Sequence, residues 1–137
     1  MTDVVWIDGR RRTIAEIVAI AEGRAAPRLD PDPGFRARLA AGAEQLARRL
    51  GAGEVVYGVN TGFGDSCVTA VAPEHVAQMP INLMRFHGCG TGRLLDEVEA
   101  AAVVAVRLTA LAGGWSGVRP LVLEHLCALL ERRVLPC

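Results

Sequence analysis

Asp96-Glu97-Val98-Glu99-Ala100-Ala101-Ala102-Val103-Val104-Ala105-Val106-Arg107-Leu108-Thr109-Ala110-Leu111-Ala112 is the stretch whose reading decides the fold class. Asp96, with Glu99 three residues on, has the pattern of a capping box. The helix it opens is expected to run to about Ala112, where Gly113-Gly114 ends it. Val98, Ala101, Ala102, Val104, Ala105, Leu108 and Leu111 leave it apolar on nearly every face, and a helix of that kind is normally buried all round. Its apolar run, Ala100 to Val106, stops at Arg107, well short of the roughly 20 residues of a membrane span.

The segments on either side are helical too. Val4 to Ile7 reads as a short strand closed by an Asp8-Gly9 turn, and Arg10, Arg11 and Arg12 read as a solvated basic surface. Thr13 and Glu16 form a second capping box, behind which Ile14, Ile17, Val18 and Ala21 make an apolar stripe that Gly23 ends. Ala26 to Pro33 reads as a linker rich in proline and aspartate. Asp32 caps the next helix with Pro33 at its first position, and Phe35, Leu39, Leu46 and Leu50 form its apolar face up to Gly51 and Gly53. Pro73 to His87 is a further helical region that Pro80 should kink or break. Gly88, Gly90 and Gly92 punctuate a loop, and Ser116 is expected to cap a last helix with Leu121, Leu123, Leu126, Leu129 and Leu130 as core positions. The fold class is mainly α, with short strands near the start.

Composition narrows the function. The 137 residues carry 15 basic and 15 acidic side chains, so no global charge favours nucleic acid or an anionic membrane. Apolar residues make up 51% of the chain and mean hydropathy is +0.28. That excess has to be buried, and other protein is the expected cover: a partner subunit, or a further part of a larger helical protein. Met1-Thr2-Asp3 has no signal-peptide pattern. The four cysteines, Cys67, Cys89, Cys127 and Cys137, match no zinc spacing, and reduced thiols in a cytoplasmic protein are expected. His87-Gly88-Cys89 offers two ligands with nothing to complete them, so no metal is expected.

Tyr57-Gly58-Val59-Asn60-Thr61-Gly62-Phe63-Gly64 follows the short apolar, strand-like Val55-Val56. Its glycines permit positive φ and close backbone approach around a small ligand, with one tyrosine at the mouth. Glycine content alone describes a surface loop, but the order of residues resembles the signature of the histidine and aromatic amino-acid ammonia-lyase and aminomutase family. The resemblance covers nearly the whole chain and is strongest from Glu54 to Pro136. It includes Asn82-Leu83-Met84-Arg85-Phe86-His87-Gly88 and the Gly-Trp-Ser-Gly-Val-Arg core of Leu108 through Arg119. Val134-Leu135-Pro136 is similar to the family segment just before an Ala-Ser-Gly tripeptide that cyclises to the electrophilic methylidene-imidazolone cofactor.

The resemblance implies a helix-bundle ammonia-lyase-like fold of which residues 1–137 are the N-terminal part. It implies elimination of ammonia from histidine, tyrosine or phenylalanine to an α,β-unsaturated acid, or the 2,3-aminomutase reaction. Tyr57 would be the base that takes the β-proton. A free phenol titrates near ~10, so helix N-termini or nearby cations would have to favour the phenolate. Phe86 and His87 match positions that contact the substrate side chain. Family members acting on histidine or tyrosine often place a histidine at or beside this spot, so a polar ring end is favoured. The alternative reading has His87 capping the end of its helix beside Gly88. Asn60, Gly62 and Gly64 would shape the inner loop, with Asn60 and Gly64 lining the substrate side.

Pro80 departs from the glutamine common in the family. The 137 residues contain no Ala-Ser-Gly and none of the downstream asparagine, arginine, tyrosine and glutamate that the family uses for the carboxylate and amine. The cofactor would come from the remainder of the enzyme or a companion chain. The family assembles as homotetramers with shared sites, consistent with surplus apolar surface. A helical interaction domain without catalysis stays open as the alternative.

Overall fold

The structure is a computed structural model that describes residues 3–88 and 90–136. β1 (Asp3–Ile7), α1 (Ile14–Ala21) and β2 (Ala25–Leu29) form a βαβ unit in which β1 and β2 pair in parallel, Val5 opposite Pro27 and Ile7 opposite Leu29. α2 (Pro33–Gly51), a 3-10 turn (Gly64–Val68), α3 (Pro73–Val76), α4 (Met79–His87), α5 (Glu97–Ala112) and α6 (Pro120–Glu131) follow. The chain divides into two compact units, Met1–Gln45 with Leu94–Cys137, and Leu46–Arg93.

Both expected capping boxes are present. The Glu16 amide donates to the Thr13 hydroxyl while Thr13 N–H donates to the Glu16 carboxylate. Asp96 and Glu99 exchange the same pair of bonds at the start of α5. Such a cap is worth about 0.5–2 kcal/mol. Asp32 caps α2 through the Phe35 amide at 2.7 Å, with Pro33 in the first position.

The core of the first unit is assembled on α5. Ala100, Ala101, Val104, Ala105, Leu108, Leu111 and Ala112 are buried there, against Ile7, Ile20, Ala21, Leu29, Phe35, Leu39, Leu123, Cys127 and Leu130. α5 packs on α1 and α6, and α6 packs on β2. Arg133, left-handed at φ 54, joins three helices: Nε reaches Glu97 at 2.8 Å and a terminal nitrogen donates to the Ala21 carbonyl.

Several expectations are corrected. Ala26 to Pro33 is not all linker, because Ala25–Leu29 forms β2. Pro27 is tolerated since in a two-stranded sheet each strand is an edge, where a missing N–H can face away from the ladder. Val55-Val56 forms no strand, and the Asn60 side chain holds the Val56 amide instead. Ser116 does not cap α6. The preceding residue, Arg119, is extended (φ −64, ψ 140), as the residue before a proline must be, so the helix begins at Pro120. On α1 the buried residues are Ile20 and Ala21, with Ile17 half-buried and Ile14 exposed. Nor is α5 covered all round in this chain: Val98, Val103 and Val106 are exposed. Pro80 does mark a break, lying within the first turn of α4 after α3 has ended.

The basic run is not simply solvated. Arg12 is only 11% exposed. It donates to the Trp6 carbonyl, Asp8 and Glu16, while Arg10 binds Asp8 through its backbone and side chain. Burial pushes the Asp8 carboxyl up, but hydrogen bonds from Arg10 and the charges of Arg12 and Arg10 outweigh it and hold the group below its ordinary value. Glu16 is held low chiefly by the Thr13 backbone and hydroxyl.

Two outcomes are expected. Both carboxyls titrate lower in the folded chain, so their stabilisation is present above the unfolded values near ~4 and is lost as pH falls through the folded ones. Asp8→Asn should therefore flatten the acid limb of a stability–pH profile below about pH 4. An unchanged limb would contradict the assignment. Separately, a Cβ at Gly42 would sit 2.6 Å from the Gly114 carbonyl oxygen, a backbone atom that cannot rotate away. Gly42→Ala should cost about 1–3 kcal/mol in a denaturant melt.

Candidate active-site loop

Residues 54–71 carry most of the sequence-singled side chains, all in the second unit. The chain turns sharply at Val56–Asn60, where the Val59 and Asn60 amides both donate to the Val56 carbonyl. The Asn60 side chain staples the turn from outside: its Oδ1 accepts from Val56 N–H at 2.7 Å and its Nδ2 donates to the Glu54 carbonyl at 2.9 Å. Tyr57 sits within this turn and is 64% exposed. Gly58 follows at φ +72, a left-handed conformation that favours glycine. A Cβ there would stand 3.4 Å from the Phe63 ring.

The other half of the loop is a small hairpin. Thr61 bridges Ala70 in antiparallel sense, Gly62 N–H donates to the Thr69 carbonyl, and Val71 N–H donates to the Asn60 carbonyl. The 3-10 turn Gly64–Val68 closes it, entered at Gly64 with φ +57. Gly62 is required for space: an added Cβ would lie 2.6 Å from the Ser66 Cβ and 2.7 Å from its carbonyl oxygen.

The structure therefore gathers Tyr57, Asn60, Gly62 and Gly64 into one loop. Asn60 spends both ends of its amide on that loop's backbone. Phe86 and His87 lie on a separate element of the same unit, at the C-terminal end of α4. Both are exposed, with ring centroids 4.2 Å apart and planes inclined at 58°. Sequence reasoning passed over Thr61, the one buried polar residue among those described, at 1% exposure. Its signal was a hydroxyl between Asn60 and Gly62 in a turn, where threonine commonly bonds local backbone.

Among the described residues no three His, Cys, Asp or Glu are grouped to hold a metal. Cys89 and Cys137, and with Cys89 the His87-Gly88-Cys89 pair, lie outside them. Cys127 is buried, and burial pushes its thiol up to about 11, which leaves it protonated and unsuited to nucleophilic work. No helix of the described residues is long and apolar enough to cross a membrane.

A family model described as aromatic amino acid lyase matches residues 12–137. A histidine ammonia-lyase of Streptococcus pyogenes serotype M3 is 37% identical over 136 residues, 99% of this chain and 26% of the relative. Tyrosine aminomutase from Streptomyces globisporus superposes with a TM-score of 0.84 at 34% identity, over 93% of this chain and 24% of that one. Histidine ammonia-lyase from Trypanosoma cruzi does so at 0.76 and 25% identity, over 93% and 25%. The chain spans about a quarter of the length of the relatives it matches.

Gly62→Ala should push the 3-10 turn off the hairpin at a cost of about 1–3 kcal/mol. The expected sign is faster proteolytic nicking between residues 57 and 69 while α1, α5 and α6 keep their protection. Nicking at the wild-type rate would contradict the close contact with Ser66.

Proposed function

Because the chain belongs to the aromatic amino acid lyase family, we propose that it is the N-terminal part of an ammonia-lyase acting on histidine or an aromatic L-amino acid, with Tyr57 as the base. The observation that carries this reading is the tyrosine turn. A single tyrosine is held on a backbone-stapled loop and is left largely uncovered by the described residues, available to a substrate that the rest of the protein would bring to it.

The side-chain oxygen of Tyr57, as the base, would take a proton from the substrate β-carbon. The C–H electron pair becomes the Cα=Cβ bond as the Cα–N bond breaks, and the amino group, protonated as an ammonium, takes the Cα–N bonding pair and leaves as ammonia. A methylidene-imidazolone would make that amine a better leaving group. The 137 residues hold no Ala-Ser-Gly to form one, so they do not fit the group by themselves, and a segment outside them would supply it. Phe86 and His87, with their rings in contact at the end of α4, would meet the substrate side chain, and His87 favours a ring with a polar end. Asn60 and Gly64 would line the loop's substrate side while fixing its backbone. The exposed apolar side chains of α5 fit a homo-oligomer, a tetramer in this reading.

The likeness to a tyrosine aminomutase, at 34% identity, favours a second reading: the 2,3-aminomutase reaction, in which ammonia returns to the β-carbon. Both need the same base. Tyr57→Phe in the full-length protein should lower ammonia release or amino migration by about 10²-fold or more, with the oligomeric state unchanged by light scattering. Turnover at the wild-type rate would remove Tyr57 from the role.

A further inference from the structure

The tyrosine turn is held from outside by Asn60, but something must also hold it from within. Thr61 is buried at 1% exposure. Its Oγ1 accepts the Gly58 N–H at 3.1 Å and donates to the Gly62 carbonyl at 2.9 Å. A hydroxyl has one proton to give and lone pairs to receive, and both capacities are used on the loop's own backbone. Gly58 N–H belongs to the peptide that leaves Tyr57, so whatever fixes that N–H also fixes the plane from which the tyrosine projects. The Gly62 end connects the same hydroxyl to the hairpin, whose backbone is paired at Thr69, Ala70 and Val71.

We infer that Thr61 is the positioning residue of the tyrosine turn: its hydroxyl ties the Tyr57–Gly58 peptide to the hairpin and so sets the direction of the Tyr57 ring. Other local features do not replace it. Gly58 at φ +72 has no side chain to hold its own conformation, and Asn60 grips the turn at Val56 and Glu54, upstream of the tyrosine. A valine at 61 would fill nearly the same volume yet leave the half-buried Gly58 amide and Gly62 carbonyl without this partner. The catalytic consequence rests on the reading of Tyr57 as the base, while the geometric one does not.

Tyr57 is the chain's single tyrosine, so one set of tyrosine ring resonances reports it alone. The test compares wild type, Thr61→Val and Thr61→Ser in the 137-residue chain, labelled with 15N and with 13C in the tyrosine ring. In Thr61→Val the Gly58 amide should exchange about fivefold faster or more, the loss of one ordinary hydrogen bond. The Tyr57 ring signals should also move toward those of a free tyrosine, while α5 amides stay unchanged. Thr61→Ser, which keeps the hydroxyl, should restore both. In the full-length enzyme Thr61→Val should lower kcat with little change in KM, and Thr61→Ser should recover it.

Wild-type Gly58 exchange and ring shifts in Thr61→Val would overturn the assignment. Should Thr61→Val also lose its α4 amides, Thr61→Ser decides: wild-type Gly58 exchange supports the hydroxyl's role, and fast exchange refutes it. The two proposals fail separately. Full turnover in Tyr57→Phe would end the base reading and leave the Gly58 result standing, whereas a Gly58 amide indifferent to position 61 would end the positioning role and leave the base reading standing.

Discussion

Small side chains on one face of α5 set how closely its neighbours can approach. Ala100, Ala101, Ala105 and Ala112 are buried there, between Val104, Leu108 and Leu111, and α1 and α6 pack against that helix. α6 in turn supports β2, whose parallel pairing with β1 completes the unit. Ion pairs follow the same frame: Arg36 with Glu124 between α2 and α6, Arg28 with Glu131 between β2 and α6. These pairs are partly exposed and are worth little singly. The apolar face does the stabilising.

The second unit depends on something different. From residue 46 to 93 the only buried residue among those described is Thr61. Val55, Tyr57, Val68, Ile81, Met84 and Phe86 are all exposed. Short-range hydrogen bonds from Asn60 and Thr61, two left-handed glycines and a 3-10 turn hold its loop. Such bonds fix a local shape without needing a deep core, which suits a loop that offers its tyrosine outward.

Much of this was legible in sequence because the signals were local. A capping box needs only two side chains three residues apart, and both boxes formed where Thr13 and Asp96 placed them. The Pro80 break and the Asp32 cap were readable for the same reason. What failed needed the chain to be folded back on itself, near or far. β2 was hidden because Pro27 reads as linker until β1 lies beside it. Arg12 read as solvated because its partners, the Trp6 carbonyl and Asp8, only meet it once the turn has closed. At the loop, Tyr57 and the glycines stood out by type. Thr61 stood out less, since a turn threonine commonly bonds local backbone and only the structure shows which two backbone atoms it holds.

The proposal for Tyr57 stands or falls on whether a β-proton is removed from an amino acid. The most direct test incubates the full-length protein with histidine, tyrosine and phenylalanine deuterated at the β-carbon, and reads ammonia and product mass. At least one of the three is expected to lose deuterium from its β-carbon and emerge as its unsaturated acid or its β-amino acid. Recovery of all three amino acids unchanged, with the label intact, would contradict it.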